Sequence, residues 1–175
     1  LQKLSPEIRS AIVRIGVVLG PGGGALEKML MPFQFGLGGR LGSGRQWVSW
    51  IHIADLQNIF LKVIEDQSYM GVFNGTTPRP VQQVEFARMV AKTIKTTAWV
   101  PTPAFVLKGA LGERSHLVLD SAKVFPRHLE KMNFHFQFGD LELALQQILA
   151  HEVKGERLLV CEQFIDQPLE KVFPF

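Results

Sequence analysis

The amino-acid sequence predicts an α/β protein, on three observations. Residues 11–19 form a near-continuous, β-branched apolar run closed by Gly20-Pro21-Gly22-Gly23-Gly24, the pattern of an interior strand covered on both faces. Helical periodicity follows twice, at Leu56, Ile59, Phe60, Val63 and Ile64, and again at Val84, Phe86, Ala87, Val90, Ala91 and Ile94. A short strand pattern at 71–75 separates the two. Alternation of this kind builds a sheet flanked by helices.

In chain order, residues 2–10 read as a helix end and a turn, and 11–19 as a strand. Residues 25–35 carry a helix that Pro32 should end or kink. Residues 36–44 hold five glycines in nine positions, which suits a rim or lid over a pocket. Residues 46–53 are extended, with Trp47, Ser49, Ile51 and Ile53 on one face and Val48, Trp50 and His52 on the other. Only one indole can then face a pocket, and Trp50, on the face of His52, is the expected one. A helix over 54–65, the strand 71–75, a turn at Thr76-Thr77-Pro78-Arg79-Pro80 and a helix over 84–94 come next.

Beyond Val100-Pro101-Thr102-Pro103 the pattern changes to short helices at 104–112, 115–119 and 121–132. Residues 134–138 alternate Phe-His-Phe-Gln-Phe and predict a half-buried strand. Asp140 is placed to cap a helix over 141–149. A polar stretch at 151–156 reads as a linker, followed by a strand at 157–165 and a helix from Pro168.

Composition narrows the function classes. The 175 residues are 46% hydrophobic and 20% charged, as in a globular domain. The net charge is +3, but the 19 basic residues are scattered singly, which argues against a nucleic-acid partner. The single cysteine, Cys161, excludes an internal disulfide, and the five histidines lack the paired spacing of a metal site. No apolar run approaches the ~20 residues of a membrane span. A cytoplasmic slice of a longer protein is the expectation.

Several motifs fail on context. Gly36, Gly39 and Gly42 satisfy G-x-x-G-x-x-G, yet a helix precedes them and an extended segment follows, the reverse of a dinucleotide-binding turn. Gly20 to Gly24 follows a strand and precedes a helix without the spacing, at a strand end where open α/β sheets bind ligands. No Y-x-x-x-K exists, since residue 73, four after the only tyrosine, Tyr69, is Phe. Lys108 and Glu113 read as a surface ion pair. His52 reads as a core-edge imidazole bonded to backbone.

The stretches Arg14 to Pro21, Gly36 to Gly44, Arg45-Gln46, Ser49 to Leu56, Gly71 to Asn74 and Pro78 to Val81 resemble the C-terminal half of extended short-chain dehydrogenases/reductases. The subgroup resembled is the NAD-dependent epimerase type of uncharacterised substrate. Pro103 to Glu113, Phe125 to Leu129 and Phe134 to Leu149 resemble its small tail domain. The resemblance implies a Rossmann-type fold, NAD or NADP, and a Ser/Thr-Tyr-Lys proton relay. The cofactor loop and Tyr-Lys pair of that family lie before the strand that begins here at Ala11, so no catalytic residue is carried over. Substrate-side positions are: Gly16, Val17 and Leu19 are expected beside the cofactor through backbone contacts, and Arg45, Gln46 and Trp50 around a small-molecule substrate. Nucleotide-sugar epimerases carry an arginine two residues before the position of Trp50. Val48 stands there, which argues against a sugar-nucleotide substrate.

The resulting division is 1–100 as the last strands and substrate-binding part, 101–150 as the tail domain, 151–156 as a linker, and 157–175 as the first strand and helix of a second domain. That last stretch resembles the start of a START-like (SRPBCC) fold. The activity implied is hydride transfer at a carbon bearing a hydroxyl or carbonyl, by a parent protein whose N-terminal Rossmann half partners this chain. The contrasting reading is a non-catalytic ligand-binding or interaction protein that keeps the fold without the chemistry.

Overall fold

The computed structural model describes residues 9–34, 38–96 and 121–153. In chain order its elements are β1 (Ala11–Ile15), β2 (Val17–Leu19), α1 (Gly24–Gln34), β3 (Trp47–Val48), β4 (Trp50–His52), α2 (Ile53–Glu65), β5 (Gly71–Gly75), β6 (Val81–Gln82), α3 (Gln83–Thr93), α4 (Arg127–Lys131) and α5 (Leu141–Val153). The helices expected at 104–112 and 115–119, and the START-like stretch 157–175, lie outside the described residues.

The run 11–19 is extended, as its β-branched composition requires, but it is two strands with different partners. β1 pairs in parallel with β5, from Ala11 opposite Gly71 to Ile15 opposite Gly75. β2 pairs in parallel with β4, from Val17 opposite Trp50 to Leu19 opposite His52. The handover falls at Gly16. Its N–H donates to the Gly75 carbonyl at 3.1 Å, and the Val17 N–H to the Ser49 carbonyl at 2.8 Å. A Cβ at residue 16 would collide with the Ser49 carbonyl and sit 2.9 Å from Thr76 Cγ2. Glycine is required there by close backbone approach.

The expectation that this run is covered on both faces does not hold within the described residues. β1 has one strand neighbour, β5, and Ile12 and Ile15 are exposed. The same is true of part of α2: Leu56 and Ile59 are buried, whereas Phe60, Leu61 and Ile64 face outward. Apolar spacing marks which residues can be buried; only the neighbours decide which are.

Two hydrophobic clusters hold the elements together. One joins Leu26 and Leu30 of α1, Trp50 of β4, Phe86 and Val90 of α3, and Leu145 and Ile148 of α5. The other joins Ile51, Leu56, Ile59, Tyr69, Phe73 and Leu129, packing β5, α2 and α4 together. The α1 helix runs through Pro32 to Gln34. Pro32 is exposed; it cannot donate to the Lys28 carbonyl, and the helix ends two residues beyond it.

Three further expectations are corrected. Residues 46–53 are not one strand: Ser49 separates β3, antiparallel to β6, from β4. Residues 121–126 are non-helical, and α4 is confined to Arg127–Lys131. Residues 134–138 form no strand, although Phe134, Phe136 and Phe138 are more buried than His135 and Gln137. Their alternation packs an irregular segment whose amides are satisfied differently: the Gln137 and Phe138 N–H groups donate to Asp55 Oδ1 and Oδ2 at 2.8 and 3.0 Å. Asp140 does cap α5, accepting from the Glu142 and Leu143 N–H groups at 3.0 and 3.3 Å. The helix then continues to Val153, into the stretch read as a linker.

Candidate functional site

β1, β2, β4 and β5 are held together by parallel pairings, so their carboxyl ends open on one side. There lies a cleft of about 1720 Å³, bounded by residues from Arg14 to Pro21, from β3 and β4, from Asn74 and Thr76, and from residues 122–127. Single-ligand pockets occupy ~300–1,000 Å³. The cleft is larger than that range.

Of the residues expected beside a cofactor, Gly16 and Val17 line the cleft, whereas the Leu19 side chain is fully buried in the first cluster. Of those expected beside the substrate, Gln46 lines the cleft. Its Nε2 donates to the Leu41 carbonyl at 3.0 Å. Arg45 is exposed and outside the lining. Trp50 is wholly buried among α1, α3 and α5, and its indole N–H has no acceptor among the described residues. The indole at the cleft is Trp47. Parity did separate the two tryptophans, but which side becomes core was decided by where the three helices pack.

The glycine-rich segment is also not a loose lid in its described part, 38–44. Gln83 Oε1 accepts from the Leu41 N–H at 2.9 Å, and its Nε2 donates to the Gly39 carbonyl at 3.4 Å. The Gly44 N–H closes a turn on the Leu41 carbonyl at 3.0 Å. Positive φ at Gly42 and Gly44, 55° and 69°, is what the glycines supply. Gln83 was not singled out from sequence; its amide resembles any other at a helix start.

His52 ends β4, caps α2 and borders the cleft. Its Nδ1 accepts from the Ala54 N–H at 3.1 Å, so the ring proton resides on Nε2, which donates to Gln147 Oε1 at 2.9 Å. Phe138 lies against the ring, with centroids 4.0 Å apart. Desolvation lowers its pKa below the ordinary 6.5, outweighing the opposing effects of Gln147 and Asp55. A neutral imidazole is what the Ala54 bond needs, because a protonated Nδ1 could not accept it. Because folded His52 holds its proton less tightly than the unfolded side chain, its stabilisation is complete above about pH 6.5 and declines as the pH falls below it toward the folded value. His52→Asn keeps a capping oxygen without the titration. Melting temperatures recorded from pH 7.5 to 5.5 should fall less steeply for this variant than for the wild type, and parallel curves would refute the assignment.

Ser49 connects the strands to residues 121–127. Its Oγ donates to the Ala122 carbonyl at 2.6 Å and accepts from the Val124 N–H at 3.0 Å. Asn74 Nδ2 donates to the Phe125 carbonyl at 3.1 Å. Thus a segment 51 or more residues from these side chains in the chain becomes the cleft's far wall. Among the described residues no group of His, Cys, Asp and Glu is arranged to hold a metal, and no helix is long and apolar enough to cross a membrane.

With this geometry in place, similarity to known proteins is informative. A crystal structure of the human epimerase family protein SDR39U1 (isoform 2) with NADPH superposes with a TM-score of 0.80 at 38% identity, over 84% of this chain and 50% of that one. The nucleoside-diphosphate sugar epimerase of Corynebacterium glutamicum gives 0.62 at 30% identity, over 89% and 28%. The chain has the fold of the C-terminal portion of a Rossmann-type extended short-chain dehydrogenase/reductase. Residues 102–148 match a family described as a domain of unknown function, DUF1731. The chloroplastic SDR39U1 homologue of Arabidopsis thaliana is 42% identical over 147 residues, 84% of this chain and 42% of that protein. The relatives it matches are epimerase family SDR39U1 proteins, and the chain spans about half their length.

Proposed function

We propose that the chain forms the substrate-side wall of an NAD(P)-dependent oxidoreductase or epimerase that acts by hydride transfer on a small hydroxyl- or carbonyl-bearing substrate. The observation that carries this reading is the cleft at the carboxyl ends of the parallel strands, larger than the range of single-ligand pockets. The binding of NADPH by the human relative supports a nicotinamide cofactor.

The residues present suit such a cofactor in a restricted way. Val17, Val18, Gly20 and Pro21 offer an apolar wall beside the polar groups of Asn74 and Thr76, which fits a flat ring bearing an amide. The Gly16 and Val17 N–H groups are already bonded within the sheet, so their contribution is surface contact and not donation. Leu19 supports that wall from the core. When bound, the nicotinamide gives or takes the hydride. The proton relay would come from the half of the relatives that this chain does not span. The exposed apolar residues Ile12, Ile15, Phe60 and Ile64 fit coverage by that N-terminal Rossmann half.

On the substrate side, this reading assigns contacts to Gln46, Trp47 and Ser49, which line the cleft. Val48 lines the cleft at the position where the nucleotide-sugar enzymes carry an arginine, so this position offers no cation to a diphosphate. A substrate smaller than a sugar nucleotide fits better.

Thermal melting of the complete protein with NADPH or NADH tests the reading. Saturation at a hundred times Kd should stabilise it by about 2.7 kcal/mol. Absence of a shift with either nucleotide would overturn the proposal.

A further inference from the structure

We propose that residues 121–127 form an anion-recognising wall, with Lys123 and Arg127 receiving a compact carboxylate or phosphate on the substrate. This rests on the cleft being the substrate pocket, and it adds a charge requirement that the fold does not impose.

Among the described residues, four cations line the cleft, Arg14, Lys28, Lys123 and Arg127, and no aspartate or glutamate does so. Among the described residues the ion pairs are Arg79 with Asp140 and Lys92 with Glu142, both away from the cleft. Among the described residues, none of the four lining cations is in an ion pair. A cleft lined by charge of one sign concentrates counter-charged solutes at its mouth.

Two of these cations are also held in place. Residues 121–126 lack regular secondary structure, yet side chains of the strand region fasten them. Ser49 binds the Ala122 carbonyl and Val124 amide, Asn74 binds the Phe125 carbonyl, and the Trp47 N–H donates to Ser121 Oγ at 3.0 Å. On that anchored backbone the Lys123 ammonium stands 3.9 Å over the Trp47 ring and 5.5 Å from that of Phe125. The Arg127 guanidinium lies 5.9 Å from the Phe125 ring. An aromatic face attracts and orients a cation without neutralising it. The two charges remain available at a wall whose neighbours Val124 and Phe125 are apolar. A carboxylate or phosphate accepts charge-assisted hydrogen bonds from both; an uncharged polyol gains far less.

The competing role for these cations is to hold the phosphates of the cofactor, and the test separates the two. The complete protein is titrated calorimetrically with inorganic phosphate, with malonate and with uncharged erythritol, each with and without saturating NADP⁺. At least one anion should bind in both conditions, and erythritol should not. Lys123→Gln combined with Arg127→Gln should weaken that anion by about tenfold or more, leaving NADP⁺ affinity within about twofold, a change worth under ~0.5 kcal/mol. Lys123→Arg, which keeps the charge, should retain anion binding, so that loss in the double variant is not mistaken for misfolding. A preference for phosphate or for malonate identifies the source of the charge. Binding of neither anion, anion binding indifferent to the double substitution, or loss of NADP⁺ affinity alongside it would each overturn the proposal. Failure of the wild type to bind either NADP⁺ or NAD⁺ would instead sink the nicotinamide reading, while the cofactor-free titrations still decide this one.

Discussion

Gly16→Ala should lower the stability of the protein by about 3 kcal/mol, at the upper end of the usual cost of inserting a methyl group into a filled space. The cause is contact and not backbone dihedral. The new Cβ would meet the Ser49 carbonyl and lie 2.9 Å from Thr76 Cγ2. That carbonyl accepts the Val17 N–H, so it cannot retreat without breaking the junction of β2 with β4. Ser49 also fastens the Ala122 carbonyl and the Val124 amide. The damage should therefore reach the far wall of the cleft. Gly22→Ala is the matched comparison: Gly22 has a φ of 76° but nothing within 4 Å of a Cβ, so conformational strain alone is tested, at about 1 kcal/mol. Urea midpoints of the two variants decide the matter. Equal losses would show that the close approach at residue 16 is not a constraint.

Asp55→Ala should cost about 3–5 kcal/mol, the loss of two charge-assisted hydrogen bonds with their backbone donors left unsatisfied. Asp55 is 1% exposed, and its two oxygens take the consecutive Gln137 and Phe138 amides. No strand partner competes for those amides, so nothing replaces the carboxylate. Asp55→Asn retains one acceptor oxygen but turns an N–H₂ toward the other amide, and should cost roughly half as much. Besides the lowered urea midpoint, residues 134–138 should become cleavable under limited proteolysis in the alanine variant. A stable, protease-resistant Asp55→Ala protein would mean that hydrophobic packing of Phe134, Phe136 and Phe138 suffices to hold the segment.

The sequence was most legible where one element's own pattern is enough. α2, α3, β5 and the Asp140 cap lie where apolar spacing and capping chemistry put them, because local hydrogen bonding and a single buried stripe fix such elements. The short-chain dehydrogenase/reductase likeness was legible too, since it resides in the order of residue types along the chain. The candidate site was legible only in part. Gly16, Val17 and Gln46 were identifiable at the cleft, but Trp50 was exchanged for Trp47, and Arg45 lies outside. Alternation separates two faces without saying which one three helices will cover. Ser49, Gln83 and Lys123 carried no signal of their own, because each works through a partner 42 or more positions away.

By itself, then, the sequence determined an α/β chain, the lineage of its fold, and the places where glycine or a capping carboxylate was needed. Tertiary structure alone decided that the run 11–19 changes partner at Gly16, that the alternating phenylalanines hang from Asp55 and not from a strand, and that two cations stack on rings at the cleft. Each of these depends on long-range contacts between groups that are chemically ordinary in isolation, and their placement follows from which surfaces the rest of the chain buries.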